Sequence, residues 1–417
     1  MKRGIYLRLS VMMFLEYAIW GAWFSYLSQY LVDHLGFSGL MVAIIYNLLP
    51  LGILLSPVTG GQLADRYAPT EKLLAVAALL GAALLWIAGG WLNLQEMSRT
   101  AAFWSLAAVM FIYAVIYGPT LPLTNSISFS HLTNIEKQFG GIRVWGTIGW
   151  IAAGWALTGW WGFVGEVRPS DCLLLAAVFS LLMGIFSFFL PHTPPKREGV
   201  EALAFVKAFR MLRDPNFLIF MAISFIVITE LYFYYILTAP FLKDSVGITE
   251  GNIPLWMTTA QIGEIITMAI LLPLILPKLG VRICLALGVI AWPIRYAVFA
   301  VGHPSWLVIA SLPLHGFCYV FFFVVGQIYV DNVAPKDIRA SAQSLWAVFV
   351  LGLGAIVGGF FAGWTRDIFT KEAAEQVITN WRYVFLVPMV VTILCALAFL
   401  IFFREPEKRK PPEATAP

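Results

Sequence analysis

Hydrophobic positions along this chain fall into long continuous runs rather than alternating or helical-surface patterns. Runs appear near 9–32, 38–63, 72–93, 101–122, 144–163 and 171–191. A polar stretch follows over 192–214, reading PHTPPKREGVEALAFVKAFRMLRD from Pro191 onward. Six further runs lie near 215–242, 253–276, 282–300, 304–330, 340–363 and 382–403. About 20 apolar residues in helical form cross a bilayer, so each run is long enough for one crossing. A membrane β-barrel would show short segments of alternating polarity, which these runs do not. The pattern therefore predicts an all-α polytopic membrane protein of twelve transmembrane helices. The first run is too long for a cleavable signal peptide and is not closed by a small-residue cleavage site.

The division of the runs predicts an N-terminal six-helix bundle over 1–191, a linker over 192–214, a C-terminal six-helix bundle over 215–404 and a tail over 405–417. Composition agrees: 60% of the 417 residues are hydrophobic and only 12% charged, about half the charge of a soluble domain. The net charge of +4 is small, but its placement is informative. Of 27 Lys and Arg, 20 fall in the two tails and alternate connections, against 6 in the others, with Arg295 inside the ninth run. By the positive-inside rule both termini and the linker are cytoplasmic. Corresponding charges sit at similar points of the two halves: Glu16 in FLEYAIWGAWF and Glu230 in ITELYFYYILT, Arg143 in GIRVWGTIG and Arg339 in DIRASAQ. This suggests a duplicated six-helix unit.

No catalytic constellation or phosphate loop is visible. The four cysteines lie in apolar runs without CxxC spacing, and the five histidines are scattered, so no catalytic residue, metal site or cofactor is expected. Nothing resembles a basic nucleic-acid-binding domain. The informative positions are polar groups within spans, where burial is expensive. Gln261 and Glu264 lie one turn apart in TTAQIGEIITM. Arg143, Thr147 and Trp150 form an i, i+4, i+7 stripe, as do Glu16, Trp20 and Trp23. Tyr232 pairs with Tyr235, and His315 with Tyr319, at helical spacing. Aromatic faces with amides, hydroxyls and few charges suit a flat, neutral, hydrogen-bonding solute. Each tyrosine or tryptophan alone also reads as packing or interfacial belt. Glu16 and Glu230 read as lying nearer helix ends, and Arg295 as the partner of a nearby acid. The glycine-rich LGLGAIVGGFFAG reads as a close-packing helix face. The stretch GGQLADRYAPTEK after the second run places Asp65 and Arg66 where an ion pair can latch one side of a transporter.

Gly61-x-x-x-Asp65-Arg66 after the second helix of a six-plus-six chain resembles the major facilitator superfamily. FLEYAIWGAW, PTLPLTNSISF, IRVWGTIGW, QIGE, AWPIRYAVFAVGHP, IRASAQ and NWRYVFLV, in this order, resemble the bacterial nucleoside:proton symporters of that superfamily. The resemblance implies import of nucleosides by proton symport, with alternating access of a central cavity in the bacterial inner membrane. It maps solute contacts to Arg143, Thr147, Trp150, Gln261 and Glu264, joined by Tyr232, Tyr235, His315 and Tyr319. The chain departs from the family where Tyr232 and Tyr235 replace a Gln and an Asn, where Val320 replaces an Asp, and where Glu16 replaces a Gln. Glu264, helped by Glu16 or Glu230, is the expected proton carrier, and Asp65 with Arg66 the cytoplasmic gate. The expected partners are a nucleoside-like solute, protons and the lipid bilayer, for a monomer. Another neutral ring solute such as a sugar or a modified nucleoside, uncoupled facilitation, or a non-transporting receptor are the competing readings.

Overall fold

The computed structural model describes residues 3–56, 68–133, 135–195, 208–335, 338–373 and 376–404. Asp65 and Arg66 lie outside these residues, as does the predicted tail. The first half comprises α1 (Arg3–His34), α2 (Gly39–Ser56), α3 (Thr70–Trp91), α4 (Arg99–His131), α5 (Ile135–Val164) and α6 (Asp171–Ser187). The second begins with α7 (Pro215–Asp244). A 52-residue helical stretch, Glu250–Val301, is two helices joined at Gly280. Its φ of 76° is a left-handed conformation that glycine adopts without strain. We call the segments 253–279 and 281–301 α8 and α9. α10 (Ser305–Val333), α11 (Ala342–Ile368) and α12 (Trp381–Phe402) complete the chain.

Among the described residues twelve helices result, six in each half, as the hydrophobic pattern predicts. Within the first half α1 packs on α5 and α6, α3 on α6, and α2 on α4; within the second α9 packs on α12 and α10, and α7 on α11 and α12. The halves meet chiefly through α2 against α11 and α5 against α8. These two pairs exchange under a shift of six helices, as an internal repeat requires.

Three local features escape the hydropathy pattern. α5 starts at Ile135, nine residues before its apolar run, because its first turns are amphipathic. A hairpin of β1 (Thr370–Ala373) and β2 (Gln376–Thr379) sits between α11 and α12, with Thr370 opposite Thr379. His34 and His131, beyond the predicted apolar runs, fall within the last turns of helices.

The described contacts that join the halves gather on the side away from the N-terminus. Lys243 on α7 pairs with Asp33 on α1 and, at 3.0 Å, with Glu250. Glu250 also receives Tyr26 Oη and lies 2.7 Å from His34 Nε2. Asp367 on α11 accepts from the Gly39 and Leu40 amides at 2.5 and 2.9 Å, capping the start of α2 from the other half. Nearer the centre, Asn47 donates to the Ile356 carbonyl at 2.9 Å. The glycine-rich face of α11 fits the predicted role: a Cβ on Gly359 would fall 2.1 Å from Asn47 Oδ1.

Candidate functional site

α5 runs away from the N-terminal side and α8 runs back toward it. They touch at Gly154, where a Cβ would fall 2.7 Å from Thr258 Cγ2, and Trp155 Nε1 donates to Thr258 Oγ1 at 2.9 Å. One helical face of α5 carries Gly154 together with Trp150, Thr147 and Arg143. From the contact, α8 leads to Gln261 and Glu264. Arg143 and Glu264 thus come from different halves near enough for their charges to act on one another, with no ion pair between them within 4 Å. Both are partly accessible, whereas Gln261 is buried with its Oε1 unpartnered.

Aromatic rings hold this arrangement. The Arg143 guanidinium lies 3.9 Å from the Tyr17 ring centre, a cation–π contact that positions the cation without neutralising it. Trp150 meets Trp20 edge-on at 5.3 Å and Phe24 at 6.0 Å. Phe24 meets Tyr235 of the second half at 5.1 Å, and Tyr235 meets Tyr232 at 6.0 Å. The nine predicted solute-facing residues fall on α5, α7, α8 and α10. Tyr319 feels both Glu264 and Arg143, which ties α10 to the α5–α8 pair.

α8 and α10 cross at two glycines. A Cβ on Gly263 would fall 2.3 Å from the Pro313 carbonyl oxygen, and one on Gly316 2.2 Å from the Gly263 carbonyl oxygen. No real side chain tolerates such a distance. Gly263 stands between Gln261 and Glu264, and Gly316 follows His315, so the closeness of these two backbones sets the spacing of four site residues.

The remaining expectations fare differently. Glu16 and Glu230 do not approach interfacial water: each sits in the middle of its helix, 1% and 0% exposed. Glu16 accepts from Thr120 Oγ1 at 2.5 Å, and Tyr117 donates to its carbonyl. Glu230 accepts from Thr229 Oγ1 at 3.0 Å, while Tyr296 donates to its carbonyl. Each keeps one carboxyl oxygen, Oε2, buried without a partner. They occupy matching places in α1 and α7, inside their own halves. Trp20 reaches Trp150, but Trp23 turns inward onto Tyr46 and Tyr113. Arg295 has no carboxylate within 4 Å among the described residues. It lies instead among the rings of Tyr234, Trp292 and Tyr296 and donates to His315 Nδ1 at 3.1 Å. Sequence reasoning missed Tyr17 and Tyr234. Tyr17 lies one turn before the tryptophans of α1, a spacing equally typical of packing.

Comparison with known proteins bears on the family and the fold. The family model described as "Nucleoside H+ symporter" matches residues 3–408. The protein named "Putative nucleoside transporter YegT" from Escherichia coli (strain K12) is 36% identical over 411 residues, spanning 95% of this chain and 93% of its own. Nucleoside permease NupG from the same organism is 28% identical, with 97% of each chain covered. The crystal structure of nucleoside transporter NupG superimposes with a TM-score of 0.81, at 27% identity over 97% of this chain and 100% of that one.

Proposed function

The chain belongs to the nucleoside H+ symporter family, and from that premise we propose how its residues carry the task. It is not an enzyme but a secondary active transporter that imports nucleosides with protons. The observation that carries the site assignment is the convergence of Arg143 on α5 and Glu264 on α8 from opposite halves, near enough for their charges to interact without an ion pair.

In this reading Trp150 stacks on the base, Arg143 and Thr147 position the nucleoside, and Gln261 and Glu264 receive ribose hydroxyls. Tyr232, Tyr235, His315 and Tyr319 close the second half around it. Glu264 carries the proton. It is the one of the three intramembrane carboxyls that is partly accessible and answers to a cation in the opposite half. Ionised, it draws Arg143; protonated, it releases that attraction, so proton and solute together decide how firmly the halves are held. Glu16 and Glu230, each with an unpartnered oxygen, form buried relay points behind it.

The halves divide at the linker 192–214, and residues 1–191 and 215–404 rock as units. The bias of Lys and Arg supports a cytoplasmic position for both termini in a bacterial inner membrane. The latched side is then the outer one, and the conformation described faces inward. Asp65 and Arg66 are assigned to the opposing cytoplasmic gate from their place after α2. One chain supplies both halves of the site, so the transporting unit is a monomer.

The test is uptake of radiolabelled uridine and adenosine into proteoliposomes with and without an inward proton gradient. Stimulation by the gradient is expected, and Glu264→Gln is expected to abolish that stimulation while leaving measurable exchange at zero gradient. A Glu264→Gln protein that still responds to the gradient as the parent does would remove Glu264 from the proton route.

A further inference from the structure

Arg295 and His315 form a buried pair whose contact the transport scheme above leaves unexplained. Arg295 is fully buried on α9 and His315 is 1% exposed on α10. Their contact joins Arg295 Nη1 to His315 Nδ1 at 3.1 Å. A guanidinium has donors only and does not lose its proton in proteins, so Nδ1 has to be the acceptor. An accepting Nδ1 carries no hydrogen, and the imidazole hydrogen then resides on Nε2. This nitrogen, on the other edge of the ring from Arg295, is buried and has no partner among the described residues.

The ring is also held in orientation. It stacks on Tyr234 at 4.8 Å and 23°, and on Tyr319 at 5.8 Å and 27°. Tyr235 meets it edge-on at 6.2 Å, and Tyr235 in turn touches Phe24 of the first half. Tyr234 also touches Arg295, whose guanidinium sits 4.5 Å from its ring centre. His315 is thereby fixed in plane, in tautomer and in position, next to the residues assigned to the solute.

We infer that Arg295 is a positioning residue that locks His315 as a neutral Nε2–H donor, and that this donor recognises a carbonyl oxygen on the edge of the nucleobase. The inference rests on the nucleoside reading above and adds a specificity to it. Stacked against Tyr234 and Tyr319, the ring offers its Nε2–H along its own plane, where a carbonyl oxygen on the edge of a base can accept it. A neutral donor favours an uncharged acceptor, and a base that lacks the carbonyl leaves a buried N–H unsatisfied, which is costly.

Two readouts test it. The first is the ¹⁵N spectrum of histidine-labelled protein, with the His315 signals assigned by their loss in His315→Phe. Nδ1 is expected to be unprotonated and Nε2 protonated. The second is competition between inosine and purine riboside, which lacks the 6-oxo group, for uptake into vesicles. The parent is expected to favour inosine by about tenfold, the worth of one good hydrogen bond. His315→Phe should bring the ratio to about one while purine riboside still enters. Arg295→Met should lose both the preference and the single tautomer, and Arg295→Lys, which keeps a cationic donor, should retain them. A proton on Nδ1 in the parent, with normal transport, would overturn the tautomer assignment. An inosine preference unchanged in His315→Phe would overturn the base contact. A chain that moves neither compound yet shows Nε2 protonated would overturn the nucleoside reading and the base contact with it, leaving the Arg295–His315 lock standing.

Discussion

Arg143 is held by a ring rather than by a carboxylate, and this distinction matters for a carrier. A tight ion pair would neutralise the cation and fix it to one partner, whereas the Tyr17 face orients it and leaves its charge available to the opposite half. Tyr17→Leu is therefore expected to raise the KM for nucleoside uptake by about three- to tenfold with little change in maximal rate, from the loss of about 1 kcal/mol of orienting energy. Tyr17→Phe keeps the ring and should resemble the parent; concentration-dependent uptake distinguishes the two. The stripe Arg143, Thr147, Trp150 and the pair Gln261, Glu264 were legible in the sequence because polar groups in an apolar run are costly against lipid. Spaced by helical turns, they share one face that can turn away from it. Tyr17, Tyr234 and the place of Arg295 were not legible. Their contacts are tertiary, and an aromatic in a membrane helix has several common uses. Glu16 was misjudged in depth because an apolar run marks where a helix is greasy, not where it begins, whereas Glu230 already lay at the middle of its run. α1 starts at Arg3, six residues before its run, which moves Glu16 to its middle.

At the scale of helices, the crossing of α8 and α10 is the joint on which the second half of the site depends. Gly316→Ala would place a Cβ against the Gly263 backbone, which cannot withdraw as a flexible side chain could. Overpacking of this kind costs on the order of 1–3 kcal/mol. Gly316→Ala should lower the thermal midpoint in detergent by several degrees and reduce uptake severely. Gly159→Ala, near the end of α5 with open space where its Cβ would stand, should do neither and serves as the control. The sequence announced the glycine-rich face of α11 by its density of glycines. It offered no such notice of Gly263 and Gly316, two isolated residues whose meaning emerges only when their helices cross. The β-hairpin before α12 was likewise hidden, since its few polar residues resemble any surface connection.

For the molecule as a whole, the distribution of contacts between halves decides which state is populated. The side away from the N-terminus is tied by Lys243 to Asp33, by Tyr26 and His34 to Glu250 and by Asp367 to the start of α2. Partly exposed ion pairs are each worth about 0–1 kcal/mol, so removing one shifts the equilibrium by at most about fivefold. Lys243→Ala removes the tie to Asp33 of the first half and should raise the population open on that side by up to about fivefold. Spin labels in place of Arg168 and Arg382, both exposed on the side away from the N-terminus, would report a longer distance between the halves. An unchanged distance distribution would mean that the α2–α11 and α5–α8 surfaces, rather than the charges, hold that side closed. The six-plus-six division itself was legible from run lengths and from where Lys and Arg fall, since both follow from the bilayer rather than from packing.

The Asp367 cap has one more consequence. The carboxylate that satisfies the first amides of α2 belongs to the half that must move away from them. Each outward swing thus strips a helix end of its partner and hands two amides to water, which must arrive as the carboxylate leaves. Deuterium uptake at Gly39 and Leu40 then becomes a counter of turnovers built into the backbone: slow in the latched carrier, faster whenever it cycles, and needing no label to be attached.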